Sequence, residues 1–337
     1  MMSSSDTFIK NNEENNQSLI INIDDIANQY NEVLELCNLD KIKLAGQKLV
    51  SLELLIDEIS KDLDESNVEL NKIIETIRND VRLKKLKQES LEIDDLLLML
   101  SSDYLSQGWQ SIHNSNGIHS MYKENGSGMH SIRIEGIIES PIFDVCSVIM
   151  EADLYSSWIP RMLCSQILYQ DSRYKRLLYC KASCPWPVAN RDVCLYGYGV
   201  DMLEEEDLVV VVSRTIKEED LIDIKLTSDI PTPKDGTVRA DAKISGFTIK
   251  PISKDKTYVQ VVSLTDPCMQ LIPYWLLNFV INQFCHYLFV MLRKQSNKVS
   301  TDKEYQTRIK SNPIYKDIWE KAEKYFEKVN NNNDNNK

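Results

Sequence analysis

A chain of 337 residues with 42% hydrophobic side chains is long enough to bury a large core and to leave room for a second, smaller unit. Its 39 Lys and Arg against 51 Asp and Glu give a net charge of −12, which disfavours nonspecific nucleic-acid binding and wholesale adsorption to an anionic membrane. Residues 1–94 carry most of the excess, with 11 basic and 20 acidic side chains, net −9.

Residues 1–18 are rich in Ser, Asn and Glu and have too little apolar surface to fold, so disorder is expected there. Residues 19–92 predict a small acidic helical bundle or coiled-coil-like hairpin. Ile26, Tyr30, Val33, Leu34 and Cys37 share one helical face, and Ile42, Leu49, Leu52, Ile56, Ile59 and Leu63 share the next. Ser66 and Glu69 have capping-box spacing and open a third helix through Ile73, Ile74, Ile77 and Val81. Arg82, Lys84, Lys85 and Lys87 then fall in its last turn, where the helix dipole favours cations; this reading is preferred to a basic docking patch. A fourth helix is expected from Ile93 to Leu105.

After Trp109 the pattern changes to strands, near 117–123 and 129–138, flanking the turn-forming ENGSG. Pro141 opens a helix that gives out near Trp158, and strand patterns follow at about 162–170, 174–183, 192–201, 207–216, 236–249 and 256–265. Joined mostly by short polar turns, they read as an antiparallel meander. The connection Lys217 to Asp235 is longer and is expected to lie over an opening.

Gln270 to Gln295 is then apolar on nearly every side, which raises the question of a membrane span. Asn278, Asn282, Gln283 and His286 in its middle argue instead for a helix wrapped by the preceding strands, with no transmembrane segment. Residues 299–330 read as a charged hinge to about 311 and an amphipathic tail helix opened by Pro313, carrying Ile314, Ile318, Ala322, Tyr325 and Phe326 at helical spacing. The Asn-rich residues 331–337 are expected to be disordered.

The first residues have no apolar signal segment, so the eight cysteines are expected to be free thiols in a reducing, cytoplasmic setting. No Cys-x-x-Cys spacing or His cluster suggests a metal, and no cofactor motif stands out. A nucleophile elbow, a phosphate loop and a paired-carboxylate motif are all missing from the pattern. Cys285 and His286, as helix neighbours, point about 100° apart and do not face each other. The expectation is a binding protein with no covalent chemistry.

The stretch WPVANRDVCLYGYGV, Trp186 to Val200, resembles the START (StAR-related lipid transfer) domain family, together with Trp158 and TDPCMQLIPYWLLNFV, Thr265 to Val280. The resemblance covers about 93–298. It implies an α+β helix-grip fold, in which a curved antiparallel sheet grips a long C-terminal helix and a tunnel between them holds one lipid. It also implies that Trp186, Arg191 and Asp192 form a shared, structural signature.

The strand pattern agrees from its own side. Val193, Leu195, Gly197 and Gly199 share one face, and two glycines there leave space that a sheet bent around a cavity would use. Leu178, Cys180 and Ala182 offer a similar small face on the preceding strand. Trp158, Trp275 and Phe279 are expected as lid or wall residues, and Arg214, Asn278, Asn282 and Gln283 are candidates for headgroup contact. Sterol-binding members of the family are associated with an inward acid and arginine on neighbouring central strands. The matching faces here carry Cys180 and Gly197, which favours phospholipid, sphingolipid or acyl lipid over sterol. Lipid transfer or sensing with transient membrane-surface contact is therefore expected. The alternative is an interaction protein whose helices 19–92 recruit a protein partner.

Overall fold

The computed structural model describes residues 23–61, 67–126, 128–170, 174–222, 224–234, 236–269, 273, 275–276, 279–280 and 285–335. Expectations for residues 1–18, for Ser66 and for Asn278, Asn282 and Gln283 fall outside these. The chain divides into two compact units, Met1–Ile93 and Asp94–Lys337.

The first unit is helical: α1 over 23–38, α2 (Ile42–Lys61), α3 (Val68–Asn79) and the first part of α4 (Val81–Met99). Ile26, Val33, Leu49, Leu52, Ile56, Leu70, Ile74 and Ile77 are buried, as their helical spacing predicts. One boundary differs from expectation. The third helix stops at Asn79, Asp80 is extended, and one helix then runs unbroken from Val81 to Met99, in place of the third helix's expected last turn and a fourth helix from Ile93 to Leu105. Asp80 causes the break: it accepts the Arg82 backbone N–H at 2.8 Å and the Tyr30 hydroxyl at 2.6 Å. Arg82, Lys84, Lys85 and Lys87 therefore lie in the first half of α4, not at a helix C-terminus. Asn67, which precedes α3, makes no side-chain cap bond.

The second unit is built on a ten-stranded sheet: β1 (Gln110–Ser115), β2 (Ile118–Glu124), β3 (His130–Ile138), β4 (Met162–Gln170), β5 (Arg176–Ala182), β6 (Arg191–Met202), β7 (Leu208–Thr215), β8 (Val238–Arg239), β9 (Asp241–Ser253) and β10 (Lys256–Asp266). The order is β1-β2-β3-β10-β9-β7-β6-β5-β4, antiparallel throughout, with the two-residue β8 alone pairing parallel to β6. β1 was not anticipated, because a polar strand at a sheet edge has no alternation to detect. Between β3 and β4 lie α5 (Ile142–Met150), a 3₁₀ turn (Ala152–Leu154) and the one-turn α6 (Tyr155–Trp158).

Of the long apolar run, α7 (His286–Ser296) is described, and 275–276 and 279–280 are also helical. Among the described residues no helix is long and apolar enough to cross a membrane. Phe289 and Leu292 of α7 are buried in one core with Ile118, Ile134, Val145, Val148 and Val259 from α5 and the sheet. The grip is tightest at the end of α7. Arg293 donates to the carbonyls of Ile137, Asn116 and Gly117 at 2.7–2.8 Å, tying the helix to β3 and to the β1–β2 turn. Gly136 permits this approach: a Cβ there would sit 2.6 Å from the Gly117 oxygen and 3.1 Å from the Phe289 ring.

Part of the expected hinge is a helix. Asp302 accepts the backbone N–H groups of Glu304 and Tyr305 and so caps α8 (Lys303–Ser311), which buries Tyr305. The tail helix α9 (Ile314–Asn335) follows, with helical backbone running into the asparagine-rich stretch. Its Ile314 and Tyr315 pack on Phe143 of α5.

Candidate functional site

β6 alternates around its period of two: Tyr196 and Tyr198 are buried on one face, while Leu195, Gly197, Gly199 and Asp201 share the other. The second face opens onto a cavity of about 200 Å³, space for on the order of 15 water molecules. Gly197 is what leaves the room. A Cβ there would meet nothing nearer than 3.5 Å, so the glycine is not demanded by backbone crowding.

Leu178 from β5, Val209, Val211 and Ser213 from β7, and Phe247 and Ile249 from β9 extend the wall along the sheet. Cys146, Ile149 and Met150 of α5, with Ala152 and Tyr155, form the roof, and Ile318 and Lys321 of α9 close one end. The wall is overwhelmingly apolar, so transfer of an aliphatic chain into it is favourable by about 0.8 kcal/mol per methylene.

Few polar groups interrupt it. Arg176 opens β5 opposite Gly197 and is buried. It donates through Nη1 to the Met150 carbonyl at the end of α5, while its Nε is buried without a partner. The nearest helix-capping acid, Glu151, is already taken by Arg308 at 2.6 Å and by the Tyr315 hydroxyl. A guanidinium in an apolar wall with an unused donor suits an acceptor group on a ligand. The sequence reading placed Cys180 and Gly197, and no acid or arginine pair, on the inward faces of these strands; the structure adds Arg176 and Asp201 to them. Arg176 lies two residues before Leu178 on the same face, and Asp201 ends the β6 row; Asp201 pairs with Lys321 at 3.4 Å.

The other predicted residues divide. Leu178, Leu195 and Gly197 are in the wall. Cys180 and Ala182 share the Leu178 face farther along β5 but are not among the wall residues; burial pushes the Cys180 thiol up to about 12. Trp158 is buried in the core beside Tyr155, their rings 5.6 Å apart, and does not reach the cavity. Trp275 is largely exposed, and Phe279 lies under Arg161, 5.1 Å from its guanidinium; neither lines the cavity.

Arg214 does not line the cavity. It sits on the Tyr196 face, 5.0 Å above that ring, in a buried bidentate pair with Asp220 at 2.6 and 2.9 Å. The signature pair is structural in its geometry. Arg191 donates to the Pro267 and Ala189 carbonyls, and Asp192 accepts two bonds from Arg239. Trp186 stands 91% exposed at the loop joining β5 to β6.

The Lys217–Asp235 connection contributes no described residue to the wall. It is fastened elsewhere, by the Arg214–Asp220 pair, by Thr227 donating to the Leu168 carbonyl of β4, and by Arg239 donating to the Pro231 carbonyl. The expected opening beneath it is therefore not where the described cavity lies.

The family model of the START domain matches residues 87–300. The chain belongs to the START-domain family. It is similar to the crystal structure of human STARD10, at 15% identity and a TM-score of 0.52, over 65% of this chain and 84% of that one. It is also similar to human StAR-related lipid transfer protein 5, at 16% identity and a TM-score of 0.51, over 63% of this chain and 96% of that one. At these identities the likeness is one of fold, and it is the helix-grip fold that the strand order and α7 display. No curated protein sequence matches the chain. The tail helix α9 lies beyond the matched START residues, yet it forms part of the cavity.

Proposed function

We propose that this START-family chain binds one lipid in the cavity bounded by α5, β5–β7, β9 and α9, and carries or senses it without covalent chemistry. The observation that supports this most is an apolar cavity left room by Gly197, with one buried arginine in its wall. The wall supplies affinity through chain burial, and Arg176 supplies discrimination by bonding an acceptor on the head of the ligand. Phospholipids, sphingolipids and acyl lipids suit that arrangement better than a sterol, because the inward acid Asp201 is engaged by Lys321 and a phosphate or carboxylate uses the remaining guanidinium more fully than one hydroxyl does. The names of the two human proteins, one of them a lipid transfer protein, point the same way.

The chain acts from a reducing cytosol and meets membranes peripherally, with the exposed Trp186 and Trp275 as contact residues of the kind found at lipid–water interfaces. Native mass spectrometry of the purified full chain, with extraction of co-purified lipid, tests this reading. A bound lipid of one class is the expected result; an empty protein that also fails to move labelled lipid between vesicles overturns it. The second reading is an interaction protein recruited through residues 19–92, favoured by the acidic excess of that segment. It predicts a captured partner and no transfer.

A further inference from the structure

We propose that the tail helix α9 is a lid on the cavity, and that ligand enters and leaves beneath it. The inference rests on the cavity being the lipid site and concerns how that site is opened. Its basis is the contrast between the two ends of α9. The first turn is anchored: Tyr315 is buried against Phe143, rings 6.0 Å apart, and donates to Glu151, which also holds Arg308 of α8. The next turns, which cover the cavity, pack Ile318, Ala322, Tyr325 and Phe326 inward and are held at the rim by exposed or half-exposed polar contacts. Tyr174 donates to Asp317 at 2.7 Å, Lys321 pairs with Asp201 at 3.4 Å, and Lys324 pairs with Glu204 at 2.8 Å.

These rim contacts come from the segment before β5, from the end of β6 and from the β6–β7 turn. The Lys324–Glu204 pair is well exposed, at 75% and 52%. Such pairs contribute little and weaken as salt rises. Beneath them Ile318 lines the cavity together with Met150 and Tyr174. Swinging the helix out exposes apolar surface, a loss in water that a lipid surface receiving the same face offsets. The face it frees, Ile318, Ala322, Tyr325 and Phe326, has the amphipathic character that settles into a lipid–water interface, so opening is favoured at a membrane surface.

The test measures transfer of bound cis-parinaric acid from the full chain to phosphatidylcholine vesicles by stopped-flow fluorescence. Lys324→Glu, which faces Glu204 with a like charge at an exposed position, is expected to release the probe roughly two- to fivefold faster, and adding Lys321→Glu to release it faster still. The swapped pair Glu204→Lys with Lys324→Glu returns the rate toward that of the native chain. Raising salt speeds release from the native chain, where it weakens attraction, and slows release from the Lys321→Glu, Lys324→Glu variant, where it screens the repulsion from Asp201 and Glu204. If the native chain binds the probe and every variant releases it at the native rate, the lid is wrong while the lipid site stands. If the native chain binds neither probe nor native lipid, the lipid site itself falls, and the lid with it.

Discussion

Two helices close the second unit, and they are held by opposite means. α7 is seated in the core through Phe289 and Leu292, and Arg293 spends its guanidinium on three backbone carbonyls of the sheet that cannot move without it. α9 joins the rest of the unit through acid–lysine pairs at the cavity rim and through one apolar face, on which Ile314, Tyr315 and Ala322 are buried. Contacts to buried apolar surface and to main chain fix an element in one place, whereas exposed ion pairs hold it only while nothing better is offered. Among the described residues the cavity lies against the lightly held helix and not against α7. A fold can thus keep a rigid grip and still offer a movable wall.

The comparison can be broken at its rigid side first. Arg214→Met, on the fixed face of the sheet, takes the guanidinium away from the buried Asp220 carboxylate and is expected to cost about 3–5 kcal/mol in chemical denaturation. Lipid carried per folded molecule stays unchanged, because Arg214 does not face the cavity. Gly136→Val drives a side chain into the Gly117 carbonyl and Phe289, lifting α7 from its seat at about 2–3 kcal/mol, read as a lower melting temperature.

On the movable side, Gly197→Trp fills the cavity where a Cβ already has room, and so abolishes lipid loading at a stability change of about 1 kcal/mol or less. A loaded, folded Gly197→Trp variant would show that the inward face has been misassigned. The smallest effect concerns pH and belongs to α7. Burial holds the His286 imidazole below its ordinary pKa, with His113, 4.7 Å away ring to ring, and Arg293 adding to the depression. The folded state therefore keeps His286 neutral. Its contribution is fully present above pH 6.5 and is lost as the pH falls below that, by less than about 1 kcal/mol. Melting curves at pH 7.5 and 5.5 should differ less for His286→Gln than for the native chain.

Much of this architecture was legible in residue spacing. The period of two in β5 and β6 put Leu178, Leu195 and Gly197 on the cavity face, and the apolar run after Asp266 announced a helix wrapped by strands. Arg176 was missed although it obeys the same alternation. A charged residue at the start of a strand ordinarily faces water, and only the C-terminal end of α5 above it makes burial tolerable. Arg214 was misread for the converse reason: its partner Asp220 lies in a 3₁₀ turn six residues on, which no strand pattern reveals. The helical break at Asp80 depends on Tyr30, fifty positions earlier. For α9, spacing showed that Ile318 and Ala322 share a buried face but not which surface covers them, because amphipathicity names a face and never its partner.

β6 has one more consequence. Its inward row is Leu195, Gly197 and Gly199, and its outward row is Tyr196 and Tyr198 beside Cys194. Since successive side chains alternate, inserting or deleting one residue between Asp192 and Leu195 exchanges the two rows wholesale. Two tyrosine rings would then occupy the hollow, and two glycines would leave a gap behind the sheet. A chain so altered could keep every strand and every turn and yet have nowhere to hold a guest. The emptiness of this protein is therefore a matter of counting, set by the parity of a single strand.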